Sequence, residues 1–217
     1  MDADTQFWLN WSVALIAAIA TLSAVLVALF GQFIRAGLFP PQLRIELKNT
    51  HGSKARVRLA WVENSEPRER GEDSRYYHIV VSNSRRWSPA HQVQLYLLQV
   101  DRPGPDGEFR PSWVGEIPMN WRHQEVHPTV RTIGAAADCD FVSVVKGKWV
   151  ELLPLIQPFN LDKQLRGPGV FVATLQARAN EADSDPIRLQ VSWDGQWHDG
   201  DVEMASHLVV KDITRAA

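Results

Sequence analysis

Residues 11–30, WSVALIAAIATLSAVLVALF, run for twenty positions without a charge. Ser12, Thr21 and Ser23 are the polar members, and their hydroxyls can bond back to their own helix. The uncharged stretch extends from Thr5 to Ile34, between Asp4 and Arg35. Twenty helical residues cover about 30 Å, the hydrocarbon thickness of a bilayer. The spacing therefore predicts a transmembrane helix.

The flanks suggest how it is used. MDADTQ carries two aspartates and no Lys or Arg, the apolar run is long for a signal sequence, and no A-x-A pattern follows it. A retained anchor is expected. Arg35, Arg44, Lys48 and Lys54 follow the span and no basic residue precedes it. The positive-inside bias then places the N-terminus outside and the C-terminal domain in the cytoplasm, on a single pass through the inner (plasma) membrane. Trp8 and Trp11 at one end, and Phe30, Phe33 and Phe39 at the other, suit interfacial depths. Small residues recur along the span: Ala20, Ala24 and Ala28 at intervals of four, Ala17, Ala24 and Gly31 at intervals of seven. Such a face lets another helix approach closely, although alanine is also an ordinary component of apolar anchors.

The expected organisation is a tail (1–6), the transmembrane helix (7–34), a linker containing Gly37 and Pro40-Pro41 (35–41), a β-domain (42–213) and a short tail (214–217). Roughly 170 residues after the anchor suffice for one domain with a proper core. The chain has 23 basic and 25 acidic residues; Arg35, Asp2 and Asp4 border the span, leaving 22 against 23. A nearly neutral domain argues against nucleic-acid binding, which needs a basic face to neutralise phosphates. Cys139 is the single cysteine, so no intrachain disulfide forms, which suits a reducing compartment.

Alternation dominates the rest. Residues 42–47 place Leu43, Ile45 and Leu47 against Gln42, Arg44 and Glu46, and 57–62 read as a second strand. Residues 63–75, ENSEPRERGEDSR, read as a solvated loop because charge replaces any apolar pattern. Further inward sets are Tyr77, Ile79 and Val81; Val93, Leu95 and Leu97; Phe171, Ala173, Leu175 and Ala177; and Ile187, Leu189, Val191 and Trp193. Residues 108–131, cut by Pro111, Pro118 and Pro128, read as short or bulged strands under loop cover. Strands are also expected at 141–145 and 149–155, and 157–168 reads as a loop. Asp194-Gly195 signals a tight hairpin returning into Gln196-Trp197. Residues 204–211 close the domain, with no helix expected within it. Eight to ten strands with turn signals between them mean an all-β antiparallel sandwich.

The run Ile79-Val80-Val81-Ser82-Asn83, then Pro89-Ala90 and Val93-Gln94-Leu95, resembles immunoglobulin-like sandwich modules of the CARDB type. The likeness spans about twenty residues. It implies an immunoglobulin-like antiparallel sandwich and carries no catalytic residue across.

Candidate chemistry is sparse. His123, Glu125 and His127 in HQEVH depart from the H-E-x-x-H zinc pattern, and Pro128 opposes helix, so a polar strand face is the expected reading. Asp194, Asp199 and Asp201 lack calcium-loop spacing and read as turn residues. Asp138 and Asp140 flank Cys139 and would blunt its thiol, which points to a buried structural cysteine. Arg85-Arg86-Trp87 suits a partner hot spot, a nucleotide or an anionic lipid surface; the favoured alternative folds the tryptophan back onto the sandwich edge. No catalytic motif stands out and no cofactor or metal is expected. A non-catalytic, membrane-anchored recognition protein follows, with a protein partner, a second copy or a small ligand as its target. A loop-site enzyme, or an envelope component with its domain outside, are the alternatives.

Overall fold

The computed structural model describes residues 3–63, 66–122, 129–158, 160–161 and 166–214. The chain divides into two compact units, Met1–Pro40 and Pro41–Ala217.

The first unit is one helix, α1 (Ala3–Leu38). Its stretch Gln6–Gly31 is long and apolar enough to cross a membrane. Thr21 Oγ1 donates to the Ala17 carbonyl at 2.8 Å, so this hydroxyl is satisfied within the helix. Phe7, Trp8 and Trp11 form an edge-to-face aromatic ladder, with centroids 5.9 and 6.2 Å apart. Helix continues through Gly37, into the stretch expected as linker. A single glycine costs a helix only about 1 kcal/mol, whereas Pro40 lacks a donor and disfavours helix at the residue before it.

The second unit is a sandwich of two antiparallel sheets. In one, β1 (Leu43–Leu47) and β2 (Ser53–Glu63) follow one another along the same edge of β3 (Glu66–Asn83). The other edge of β3 carries β7 (Ala136–Val145) and then β8 (Val150–Leu152). The second sheet runs β11 (Leu208–Asp212), β10 (Ile187–Trp193), β9 (Gly169–Arg178), β4 (Ala90–Pro103), β5 (Phe109–Pro118), with β6 (Arg131–Ile133) also on β4. A short helix, α2 (Asp201–His207), precedes β11.

Period-two patterning builds the core. Tyr77, Ile79 and Val81 from one sheet meet Val93, Leu95, Leu97, Ala173, Leu175, Leu189 and Val191 from the other, all fully buried. β10 alternates buried and half-buried residues throughout its length.

One lateral side of the sandwich is closed covalently. After β5 the chain stays with the second sheet long enough for Met119 N to donate to the Leu95 carbonyl of β4. It then crosses, and Trp121 pairs with Cys139 on β7. The indole Nε1 of Trp121 donates to the Thr129 carbonyl at 2.9 Å. The opposite side, where β1 and β11 are the outer strands, has no such crossing among the described residues.

Three expectations fail. Residues 66–75 are not a loop: they continue β3, paired with β2 from Ser53↔Tyr76 to Glu63↔Glu66. From Glu72 outward β2 is the only strand paired with β3 among the described residues, so the two run on as a two-stranded ribbon. Charged residues are compatible with such a ribbon, and apolar alternation cannot reveal it. Asp194-Gly195 makes a turn but no tight hairpin. Gly195 takes a positive φ of 91° and Gln196 N donates to Asp194 Oδ1, yet the returning strand begins only at Leu208. Between them lies α2, whose single buried residue, Met204, leaves no helical stripe to detect.

Candidate functional site

Because Tyr77, Ile79 and Val81 face the core, His78 lies on the outer face of its sheet. A bulge between Tyr77 and His78 sets His78 opposite Asp140 on β7. His78 Nδ1 and Asp140 Oδ1 are 2.9 Å apart, and the imidazole is only 4% exposed. Tyr76 lies nearly parallel to the ring, with centroids 6.3 Å apart. Ser53, Lys54, Ala55 and Arg122 complete a cleft of about 210 Å³ around the pair.

The charges around the cleft are largely matched. Burial alone would push the Asp138 carboxyl up, but its hydrogen bond to Lys48, with Arg122 at 3.5 Å, holds it below the usual carboxylate range. Burial, with Asp140 and Glu151 nearby, pushes the Tyr76 phenol up. One atom is unmatched: His78 Nε2 is buried without a hydrogen-bond partner. The imidazole is thus held through Nδ1 alone. Acid–base sites also hold a histidine with a carboxylate, but no nucleophile is brought to this one among the described residues. Cys139 is adjacent in sequence but sits on the core face, where Sγ donates to the Asn120 carbonyl at 2.9 Å. Burial, then Asp140, pushes its thiol well above the ordinary range, so it is inert.

A second polar cluster ties the sheets together at the α2 end. Arg75 on β3 is 1% exposed, and its guanidinium donates to Asp201 Oδ1 at 2.8 Å. It also reaches the carbonyls of His51, Asp199 and Gly200 at 3.1–3.3 Å. Tyr77 Oη donates to the Leu208 carbonyl beside it, and burial raises that phenol to about 12. Asp199 pairs with Lys146 and accepts from Trp197 Nε1, while Asp194 pairs with His207 Nδ1 at 2.7 Å. These aspartates are thus structural ion-pair and turn residues. Among the described residues no group of three or more His, Cys, Asp or Glu is placed to hold a metal.

Arg85, Arg86 and Trp87 lie in the connection from β3 to β4. Trp87 is 56% exposed and Arg86 is exposed. Buried Asn83 organises this turn. Its Oδ1 accepts from Gln42 N and Arg85 N, and its Nδ2 donates to the Ser88 carbonyl at 2.8 Å. Asn83→Ala should cost about 2 kcal/mol, because it strands buried partners; the midpoint and slope of urea unfolding would measure it. On α1, Ala17, Ala20, Ala24 and Ala28 are exposed, and a Cβ on Gly31 would meet only Val27, at 3.6 Å. His123, Glu125 and His127 lie outside the described residues.

Sequence reading missed His78, Asp140 and Arg75 as site residues. His78 alternates regularly with the core positions, but nothing local announces a partner 62 residues away. Neither a protein-family model nor a curated protein matches the chain.

Proposed function

We propose that this chain is a non-catalytic, single-pass protein of the inner (plasma) membrane, with its N-terminus outside and an immunoglobulin-like sandwich in the cytoplasm that recognises a protein partner or a second copy. The observation that carries the reading is the helix itself. Gln6–Gly31 offers no buried surface within the chain, so its apolar residues need lipid or another helix around them. A separately compact β-unit follows it. The exposed Arg86 and Trp87, and the small residues at Ala17, Ala20, Ala24, Ala28 and Gly31, are the contact surfaces that this reading assigns. The orientation rests on the basic residues that follow the span. A C-terminal fusion to a phosphatase that matures only outside the cytoplasm should be inactive, and the matching cytoplasm-competent fluorescent fusion bright. An active phosphatase would reverse the topology.

A loop-site enzyme is the second reading, supported by the buried His78–Asp140 pair and its unpartnered Nε2. It ranks behind recognition because the described residues bring no hydroxyl or thiol to that nitrogen.

A further inference from the structure

The side of the sandwich left open by the chain crossing contains a groove of about 630 Å³, bounded by β1, by Asp185 and Ile187, and by Asp212 and Thr214. Its wall is an edge strand. Ser84 N donates to the Gln42 carbonyl and Lys48 N to the His78 carbonyl, both at 3.0 Å. Antiparallel strands alternate the side to which each residue turns its backbone groups. Gln42, Arg44, Glu46 and Lys48 therefore turn theirs toward β3, while Leu43, Ile45 and Leu47 turn theirs outward. Among the described residues no strand pairs with that outer edge. An unprotected edge is a template for another strand.

The sequence of β1, Leu-Arg-Ile-Glu-Leu, is complementary to itself about Ile45. Laid antiparallel against a second β1 with Ile45 opposite Ile45, it sets Leu43 opposite Leu47 and Arg44 opposite Glu46, twice. The outward backbone groups of residues 43, 45 and 47 then fall in the hydrogen-bonded positions of the new ladder. The Arg44–Glu46 pairs fall in the closer, non-hydrogen-bonded positions, about 4.5 Å apart at Cα. Both of these side chains are exposed in the single chain, and Ile45 and Leu47 are only half-buried. A strand one residue out of this register would lose both the charge match and the backbone match. Pro41, which has no N–H to donate, limits the ladder beyond Gln42.

We propose that β1 is a homotypic docking edge, through which two copies of this chain join their sheets by a twofold, antiparallel β1–β1 pairing centred on Ile45. The interface is isologous, with the same patch contributed by both chains. It is separate from any packing of α1 and does not depend on the orientation assigned above.

The test uses the full-length chain in nanodiscs. Chains carrying Arg44→Cys and chains carrying Glu46→Cys, with different tags, are mixed and oxidised with copper-phenanthroline; native Cys139 is buried and silent. Residues 44 and 46 of opposing strands stand within disulfide reach, whereas 44 to 44 and 46 to 46 are diagonal, about 7–8 Å apart at Cα. The mixed disulfide should therefore exceed either like-with-like disulfide by at least fivefold, and should do so equally in an Ala24→Leu background, where the helix face is blocked. Separately, Arg44→Glu should lower chemical crosslinking of the otherwise native chain severalfold, and adding Glu46→Arg to it should restore the native level. Equal yields in all cysteine combinations, no crosslink, or a double reversal that fails to restore association would each overturn the proposal.

Discussion

Replacing Trp121 with alanine should lower the stability of the β-unit by about 4 kcal/mol, the range seen when a buried large aromatic is removed from a core. Trp121 is 1% exposed and among the largest side chains fully enclosed in the sandwich. Three separate interactions converge on it. Its backbone bridges to Cys139, its indole donates to the Thr129 carbonyl, and the Arg131 guanidinium lies 5.7 Å from its ring centroid. It also sits at the point where the chain leaves one sheet for the other. The truncation should therefore open a void and slacken the crossing together. Denaturant titration of the full-length chain in mild detergent, followed by the β-sheet signal in circular dichroism, measures the loss. A cost under 1 kcal/mol would mean that the crossing is not a mechanical part of the fold.

The second large effect belongs to Arg75. Arg75→Met should cost about 3 kcal/mol, because breaking a buried, multiply bonded charge leaves its acceptors unmet. Its carboxylate partner does not share that fate, since the Asp201 side chain is 60% exposed and water replaces the arginine there. The guanidinium's contacts to the carbonyls of His51, Asp199 and Gly200 are lost together, although the Gly200 carbonyl keeps its bond from Met204 N. Arg75→Lys should recover only part of the loss, because an ammonium cannot reproduce the fork that spans these oxygens. Asp201→Asn should cost much less than either. Thermal unfolding of the three variants in parallel provides the ranking, and a costlier Asp201→Asn would show that the ion pair, rather than the carbonyl contacts, holds the sheets at this end.

These two residues mark what was legible in the sequence and what was not. Where a strand has one dry face and one wet face, alternation identifies it. The inward sets at 93–97, 171–177 and 187–193 appear in the structure as read. Arg75 breaks that logic. It occupies a core-side position midway along β3, within a stretch so rich in charge that it reads as solvated. Its burial depends on the backbone oxygens of a turn some 125 residues later. The His78–Asp140 pair is hidden for the same reason, since strand register between distant segments is a property of the whole sheet. The helix at residues 201–207 has one buried side chain and so no period to detect. Apolar length is the opposite case: a helix long and apolar enough to cross a membrane is evident from the run of residues alone.

The groove has one more implication, which concerns the way the chain enters and leaves the sandwich. Arg44, just inside the first strand, and Thr214, just past the last, line the same opening. Entry and exit of the β-unit are thus near neighbours rather than opposite poles. A short linker joining residues 43 and 214, with new ends cut at the exposed turn between β4 and β5, would give a circularly permuted domain with every strand pairing retained.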